Sequence, residues 1–203
     1  HCISSAASDV YKRQGIKTLT LYVFSTENFG RPTKEVEEIM RLAEEYIDKV
    51  LEDQRIHKRR VRVKVLGKKE LLNSRLRKKI EKLEKATEKY DARYLNIAIA
   101  YGGRSEIIDA AKKIAEEIKK GKLKIEQINE KTFEKFLYTA HLPNPHPDLI
   151  IRTSGEERLS GFLLWQSAYS ELIFTDVYWP AFRKIDLWRA IRTYQKRERR
   201  FGR

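Results

Sequence analysis

Apolar positions change period several times along the chain. Ile16 to Phe24 (IKTLTLYVF) is a nearly unbroken run of β-branched, aliphatic and aromatic residues between Gly15 and a polar stretch, and it predicts a buried strand. From Lys34 to Gln54 the spacing becomes three and four: Val36, Ile39, Met40, Ala43, Ile47, Val50 and Leu51 mark one face of an amphipathic helix, with Thr33 as its N-cap. Such a stripe either packs on a core or walls a tunnel for an apolar ligand, and spacing does not separate the two. Val61 to Leu66 predicts a second strand ending at Gly67, and Asn73 an N-cap for a helix to about Lys89. Tyr94 to Ala100 is a third strand, after which Arg104 or Ser105 opens a helix to about Lys119. Asn129 caps a short helix through Phe136, and Pro143, Pro145 and Pro147 force an extended loop. Short strands follow near Ile150 and at Leu172 to Phe174, and Asp186 caps a last helix from Leu187 to about Arg200. Strands alternating with helices predict an α/β fold with a mostly parallel central sheet flanked by helices.

Three of the predicted strands empty into polar loops. The sharpest is Asp148 to Ser160 (DLIIRTSGEERLS), where a short apolar strand opens into a turn with Gly155, Arg152, Arg158 and Ser160. In an open α/β sheet ligands sit at carboxyl ends of strands, and paired arginines with hydroxyls and backbone amides suit a phosphate or diphosphate. The alternative is a surface turn with ordinary ion pairs. Ser25 to Pro32 (STENFGRP) brings hydroxyls, Asn28 and Arg31 to the end of the first strand, or simply terminates it. Tyr101-Gly102-Gly103-Arg104-Ser105 follows the third strand in the layout of a βα phosphate loop, its glycines freeing the backbone to turn sharply and expose amides. Neither G-x-G-x-x-G nor G-x-x-x-x-G-K-[ST] occurs, which counts against a dinucleotide-binding enzyme and a P-loop hydrolase. Glu171, just before a strand, is a candidate hard-metal ligand or an ordinary partner for an arginine.

Charge narrows the partners. Against 29 acidic residues stand 43 Lys and Arg, leaving +14, so anionic partners are favoured: nucleic acid, acidic lipid or phosphorylated small molecules. The lysine-dense face of the predicted helix 73–89 is interrupted by glutamates and carries no aromatics, which favours a solvated face over a nucleic-acid-binding module. A single cysteine, Cys2, rules out a disulfide framework and fits a reducing compartment; no apolar run is long enough to span a membrane. Residues 1–14 lack periodicity and join abruptly to the strand at Ile16, so they are expected to be a leader foreign to a domain at 15–203.

LTLYVFSTENF at 19–29, YGGRSE at 101–106, DLIIRTSGEERLSGFLLW at 148–165 and YSELIFTDVYWPAF at 169–182 resemble, in content and order, the motifs of the cis-prenyltransferases, the undecaprenyl and dehydrodolichyl diphosphate synthases. The resemblance implies condensation of isopentenyl diphosphate onto an allylic diphosphate such as farnesyl or geranylgeranyl diphosphate. The products are a long-chain polyprenyl diphosphate with cis double bonds and released diphosphate. It implies magnesium, a homodimer or heterodimer, an apolar tunnel between sheet and helices, and a cytoplasmic enzyme that touches membrane lipid at its periphery and binds no nucleic acid. Carried over by residue, Ser25 and Asn28 lie near the reacting centre, Arg31 near the allylic diphosphate, and Arg152, Arg158 and Ser160 on isopentenyl diphosphate. Glu171 associates with metal, and Arg200 to Gly202 resembles a C-terminal R-x-G element reaching the site across the dimer. Gly161 and Phe29 stand where many members carry Asn and Trp. The family's D-G-N-G-R-W loop is not matched, so the expectation is a catalytically incomplete fragment, with a non-catalytic dimer partner as the alternative.

Overall fold

The computed structural model describes residues 15–197, which divide into two compact units, one of Lys17–Pro145 and one from His146 onward. In the first, strands β1 (Thr18–Ser25), β2 (Val61–Leu66) and β3 (Arg93–Tyr101) form a parallel sheet in the order β1-β3-β2. Parallel neighbours need long crossovers. Between β1 and β2 these are helices α1 (Thr33–Glu52) and α2 (Gln54–Lys58), and between β2 and β3 helix α3 (Ser74–Thr87). Helices α4 (Gly103–Lys119) and α5 (Glu130–Glu134) complete this unit. In the second, β4 (Leu149–Arg152) and β5 (Glu171–Phe174) form a parallel pair, with helix α6 at Lys184–Lys196. The expected α/β class with a parallel sheet is therefore present.

The core of the first unit lies between the sheet and the inner faces of α1 and α3. Met40, Ala43 and Ile47 of α1 meet Leu76, Ile80 and Leu83 of α3 over Val61, Val63 and Val65 of β2. The stripe residues Met40, Ala43 and Ile47 are thus core. Helix α1 ends where Asp53 caps the next helix by accepting the Arg55 amide at 2.9 Å, one residue before the expected Gln54. Asn73 caps α3 as predicted, accepting from the Leu76 amide at 2.8 Å.

The exposed edge of β2 is blocked by side chains. Thr87 Oγ1 accepts from the Val63 amide at 3.1 Å and Glu84 Oε1 from the Val65 amide at 2.9 Å, so the donors that would template another strand are occupied. Glu84 carries this role ionised: burial opposes its charge, but Lys69 and Lys64 and the Val65 amide hold its carboxyl below the usual range. By contrast β1, expected to be buried, pairs with β3 alone among the described strands, and of its residues only Phe24 is buried. A run of apolar residues does not reveal where its strand falls in the sheet order.

Three caps differ from expectation. Pro32, not Thr33, occupies the N-cap of α1, its carbonyl taking the Glu35 and Val36 amides. Helix α4 starts at Gly103, ahead of Arg104. Asp186 sits three residues inside α6, where it accepts the Arg183 amide at 2.9 Å. Aspartate favours both the cap and the first turn, which is why its position misleads by one turn.

Candidate active site

The first group of site residues forms at the carboxyl ends of β1 and β3. Ser25 closes β1 and caps a 3-10 turn at Thr26–Gly30: its Oγ accepts the Asn28 amide at 3.3 Å while Asn28 Oδ1 accepts the Ser25 amide at 2.9 Å. Ser25 and Asn28 are therefore brought together, each fixing the other. Phe29 anchors the turn by meeting Phe24 edge to face at 5.0 Å. Arg31 is drawn along α1 to Glu35 at 2.6 Å, with half its side chain exposed.

The loop after β3 packs on this turn. A methyl group on Gly102 would lie 2.7 Å from Thr26 Oγ1, closer than any stable contact. Glycine lets the Thr26 hydroxyl stand this close and is not required for conformation, because Gly102 has an ordinary extended backbone with φ of −151°. The sharp turn expected of Gly102 and Gly103 is instead made by Ala100, with φ of +50°. Glu27 is held below the usual carboxylate range by its own backbone amide, then against some burial by the Ser25 and Thr26 hydroxyls and by Arg104. The sequence does not single out Glu27 and shows Arg104 only as part of the loop after β3; their attraction spans the gap between two loops and leaves no local signal. Glu106 is fully buried, accepting from the Tyr101 hydroxyl and from the Tyr138 amide at 2.8 Å.

The second group forms after β4. Arg152 ends the strand, and its Nη1 donates to Ser160 Oγ at 2.8 Å and to the Arg158 carbonyl, closing the loop 153–160 over its guanidinium. Arg158 pairs with Glu156. The structure thus brings Arg152, Arg158 and Ser160 together. It also corrects the expected role of the loop amides: the Ser154 amide donates to the Val177 carbonyl at 3.0 Å and the Gly155 amide to the Thr175 carbonyl at 2.9 Å. These amides hold the loop against the segment after β5, and the anion-ready donors are side chains.

Non-glycine residues with φ between 45° and 80° concentrate at these loops. Ala100, Ser154, Ser160 and Leu163 lie in or beside them, Arg60 elsewhere, and each such conformation costs about 1–2 kcal/mol. Strain at strand ends marks functional loops more often than structural ones.

Glu171 opens β5 opposite Leu149, so it lies at the other end of the β4-β5 pair from Arg152, and it is ion-paired with Arg197. Among the described residues no three His, Cys, Asp or Glu side chains cluster as a metal site. Glu171 is the carboxylate that could meet a magnesium ion here, and such an ion would have to displace the Arg197 guanidinium from it. Arg200 and Gly202 lie outside the described residues. A cleft of about 390 Å³ runs beside α1, lined by Phe29, Val36, Met40 and Leu71 together with Glu37 and Arg75. No helix among the described residues is long and apolar enough to cross a membrane.

Parallel strands ending in loops with arginine and hydroxyl side chains define an α/β protein with anion-ready loops, and comparison with known proteins specifies the class as a prenyltransferase. Residues 4–202 match the family model described as undecaprenyl diphosphate synthase. A tritrans,polycis-undecaprenyl-diphosphate synthase (geranylgeranyl-diphosphate specific) of Methanopyrus kandleri is 57% identical over 189 residues, covering 93% of this chain and 69% of that protein. The enzyme of the same name from Methanocaldococcus jannaschii is 54% identical over 188 residues, covering 93% and 67%. Among solved structures, lavandulyl diphosphate synthase from Lavandula x intermedia, in complex with dimethylallyl diphosphate, superposes with a TM-score of 0.91 at 36% identity, covering 99% of this chain and 84% of that one. A probable undecaprenyl diphosphate synthase from Campylobacter jejuni gives 0.84 at 35%, covering 98% and 90%. The chain belongs to the undecaprenyl diphosphate synthase family of cis-prenyltransferases.

Proposed function

We propose that this cis-prenyltransferase joins isopentenyl diphosphate repeatedly to an allylic diphosphate of the geranylgeranyl class, lengthening it by five carbons per turn. The observation that carries the reading is the Arg152 guanidinium with the Ser160 hydroxyl and the Arg158 loop closed around it. A diphosphate entering this loop replaces the Arg158 carbonyl as acceptor and gains two guanidinium groups and a hydroxyl. Further support for the primer comes from the relatives above, whose names give geranylgeranyl diphosphate as their substrate.

In each turn the allylic carbon–oxygen bond breaks, its electron pair leaving with diphosphate. The double bond of isopentenyl diphosphate supplies the new carbon–carbon bond, and a proton departs from the adjacent carbon. Charge builds on the leaving group, so cationic and hydrogen-bonding groups that meet it lower the barrier. Arg31 has that role in this reading, swinging from Glu35. Ser25 and Asn28 stand at the reacting carbons, with Asn28 offering Nδ2 because its Oδ1 is taken by the Ser25 amide. The active form is a homodimer, which sedimentation velocity tests.

Arg152→Lys keeps the charge but loses the planar fork. Turnover of radiolabelled isopentenyl diphosphate with geranylgeranyl diphosphate should show KM for isopentenyl diphosphate rising roughly 10-fold or more, and KM for the primer little changed. An unchanged KM for isopentenyl diphosphate removes the loop after β4 from its binding.

A further inference from the structure

The end of the three-stranded sheet contains a device that neither the motifs nor the pattern of apolar residues announces. Strands β1 and β3 pair in even register from Thr18 with Tyr94 to Tyr22 with Ala98. Val23 is then passed over, so that Phe24 faces Ile99, and next Ala100 is passed over, so that Ser25 faces Tyr101. Each irregularity shifts the pairing by one residue, in opposite strands, and the two cancel. The consequence is local. Val23 is expelled to 47% exposure, while Phe24, Ala100 and Tyr101 are all buried.

Ala100 is the hinge of this arrangement. It has φ of +50° with its side chain fully buried, a conformation that alanine adopts only when its surroundings impose it. The surroundings are those at the end of β2. The Lys68 amide donates to the Ala100 carbonyl at 3.0 Å, and Gly67 lies so close that a methyl group there would meet the Ile99 carbonyl oxygen at 2.1 Å. On the far side, the turned backbone delivers Tyr101, whose hydroxyl is held by Glu106 and whose ring meets Tyr22 edge-on at 5.9 Å. Gly102 follows at once, against Thr26. A continuous line of contacts therefore runs from Gly67 and Lys68 through Ala100 to the turn of Ser25 and Asn28.

We infer that Ala100 is a positioning residue for the reaction: its left-handed backbone, locked by Gly67 and Lys68, sets Tyr101 and Gly102 as the platform on which the Ser25–Asn28 turn is held. The inference rests on the role proposed above for Ser25 and Asn28. It departs from a purely structural role in one respect. For a residue that only fits a fold, glycine would relieve the positive-φ strain and forfeit one buried methyl group, leaving stability and turnover little changed. A residue that orients a catalytic turn would lose by the same change, because glycine releases the backbone from its single conformation.

The test is Ala100→Gly in the full chain, measured for kcat, for KM of isopentenyl and geranylgeranyl diphosphates, for Tm, and for amide hydrogen exchange at residues 25–28. The expected result is a Tm within about 3 °C of that of the parent, faster exchange at 25–28, KM for isopentenyl diphosphate within about twofold, and kcat down roughly 5- to 10-fold, as for a small misplacement of reacting groups. An unchanged kcat, or a loss that merely follows a lowered Tm, overturns it. Ser25→Ala and Asn28→Ala are run in parallel. If both leave kcat intact, the proposed reacting centre fails and the inference with it. If they lower kcat while Ala100→Gly does not, only the inference fails.

Discussion

Gly67→Ala gives the severest test of how the sheet end is built. The added methyl group would stand 2.1 Å from the Ile99 carbonyl oxygen, 2.8 Å from the Ala100 oxygen and 2.9 Å from the Ala100 carbonyl carbon, all backbone atoms of the central strand. None can rotate away as a side-chain tip can. Overpacking of this kind costs about 1–3 kcal/mol, and a φ of +125° on an alanine adds about 1–3 kcal/mol. Together the loss is roughly 2–6 kcal/mol, a large part of the 5–15 kcal/mol typical of a folded domain. At about 2–4 °C per kcal/mol for a chain of this size, Tm should fall by roughly 4–24 °C in a far-ultraviolet circular dichroism melt. Gly102→Ala is the control. Its methyl group meets only the Thr26 hydroxyl, which can turn, and its φ of −151° suits any residue. That variant should melt within about 3 °C of the parent, yet lose turnover because Thr26 must move. If the two variants melted alike, the backbone clash at Gly67 would not be the constraint described.

Two further outcomes concern the same unit. His141 Nε2 donates to Asn96 Oδ1 at 2.9 Å, and burial, then Arg62 and Lys64, push its pKa down to about 4, against an opposing hydrogen bond to the Tyr138 backbone and the charge of Glu84. Because the folded value lies below the ordinary 6.5, the unfolded chain takes up the proton first. Stability is complete above about pH 6.5 and is lost as pH falls toward 4. At pH 5 the loss, discounted for the ring's partial exposure, is about 1 kcal/mol. Urea melts at pH 8 and pH 5 should show it in the parent and not in His141→Gln; an equal pH dependence in both would remove His141 as its source. Thr87→Val keeps the shape but leaves the Val63 amide without its acceptor, at about 1–3 kcal/mol by urea melts. A variant as stable as the parent would show that the β2 edge does not depend on this hydroxyl.

What could be read from the chain was local. Asn73 and Asn129 were legible as caps because a cap satisfies amides only three residues away, at 2.8 Å and 3.0 Å. The Arg152 loop was legible because Arg152, Arg158 and Ser160 are near neighbours whose chemistry converges whatever the rest of the chain does. Where the sequence misled, the deciding partner lay far along the chain. The Ser154 and Gly155 amides looked available until the segment at 175–177 claimed them, and the arginine that pairs with Glu171 is Arg197, twenty-six residues on and just past α6. Ala100 is the limiting case. Alanine carries no preference for a left-handed turn, so nothing at position 100 signals one; the signal sits at Gly67, whose missing methyl group makes room for the carbonyls of Ile99 and Ala100. A glycine read as the end of one strand was the imprint of a bulge in its neighbour. The conformation of this chain's β3 loop is therefore written in two places, and neither YGGRSE nor VKVLG suffices alone.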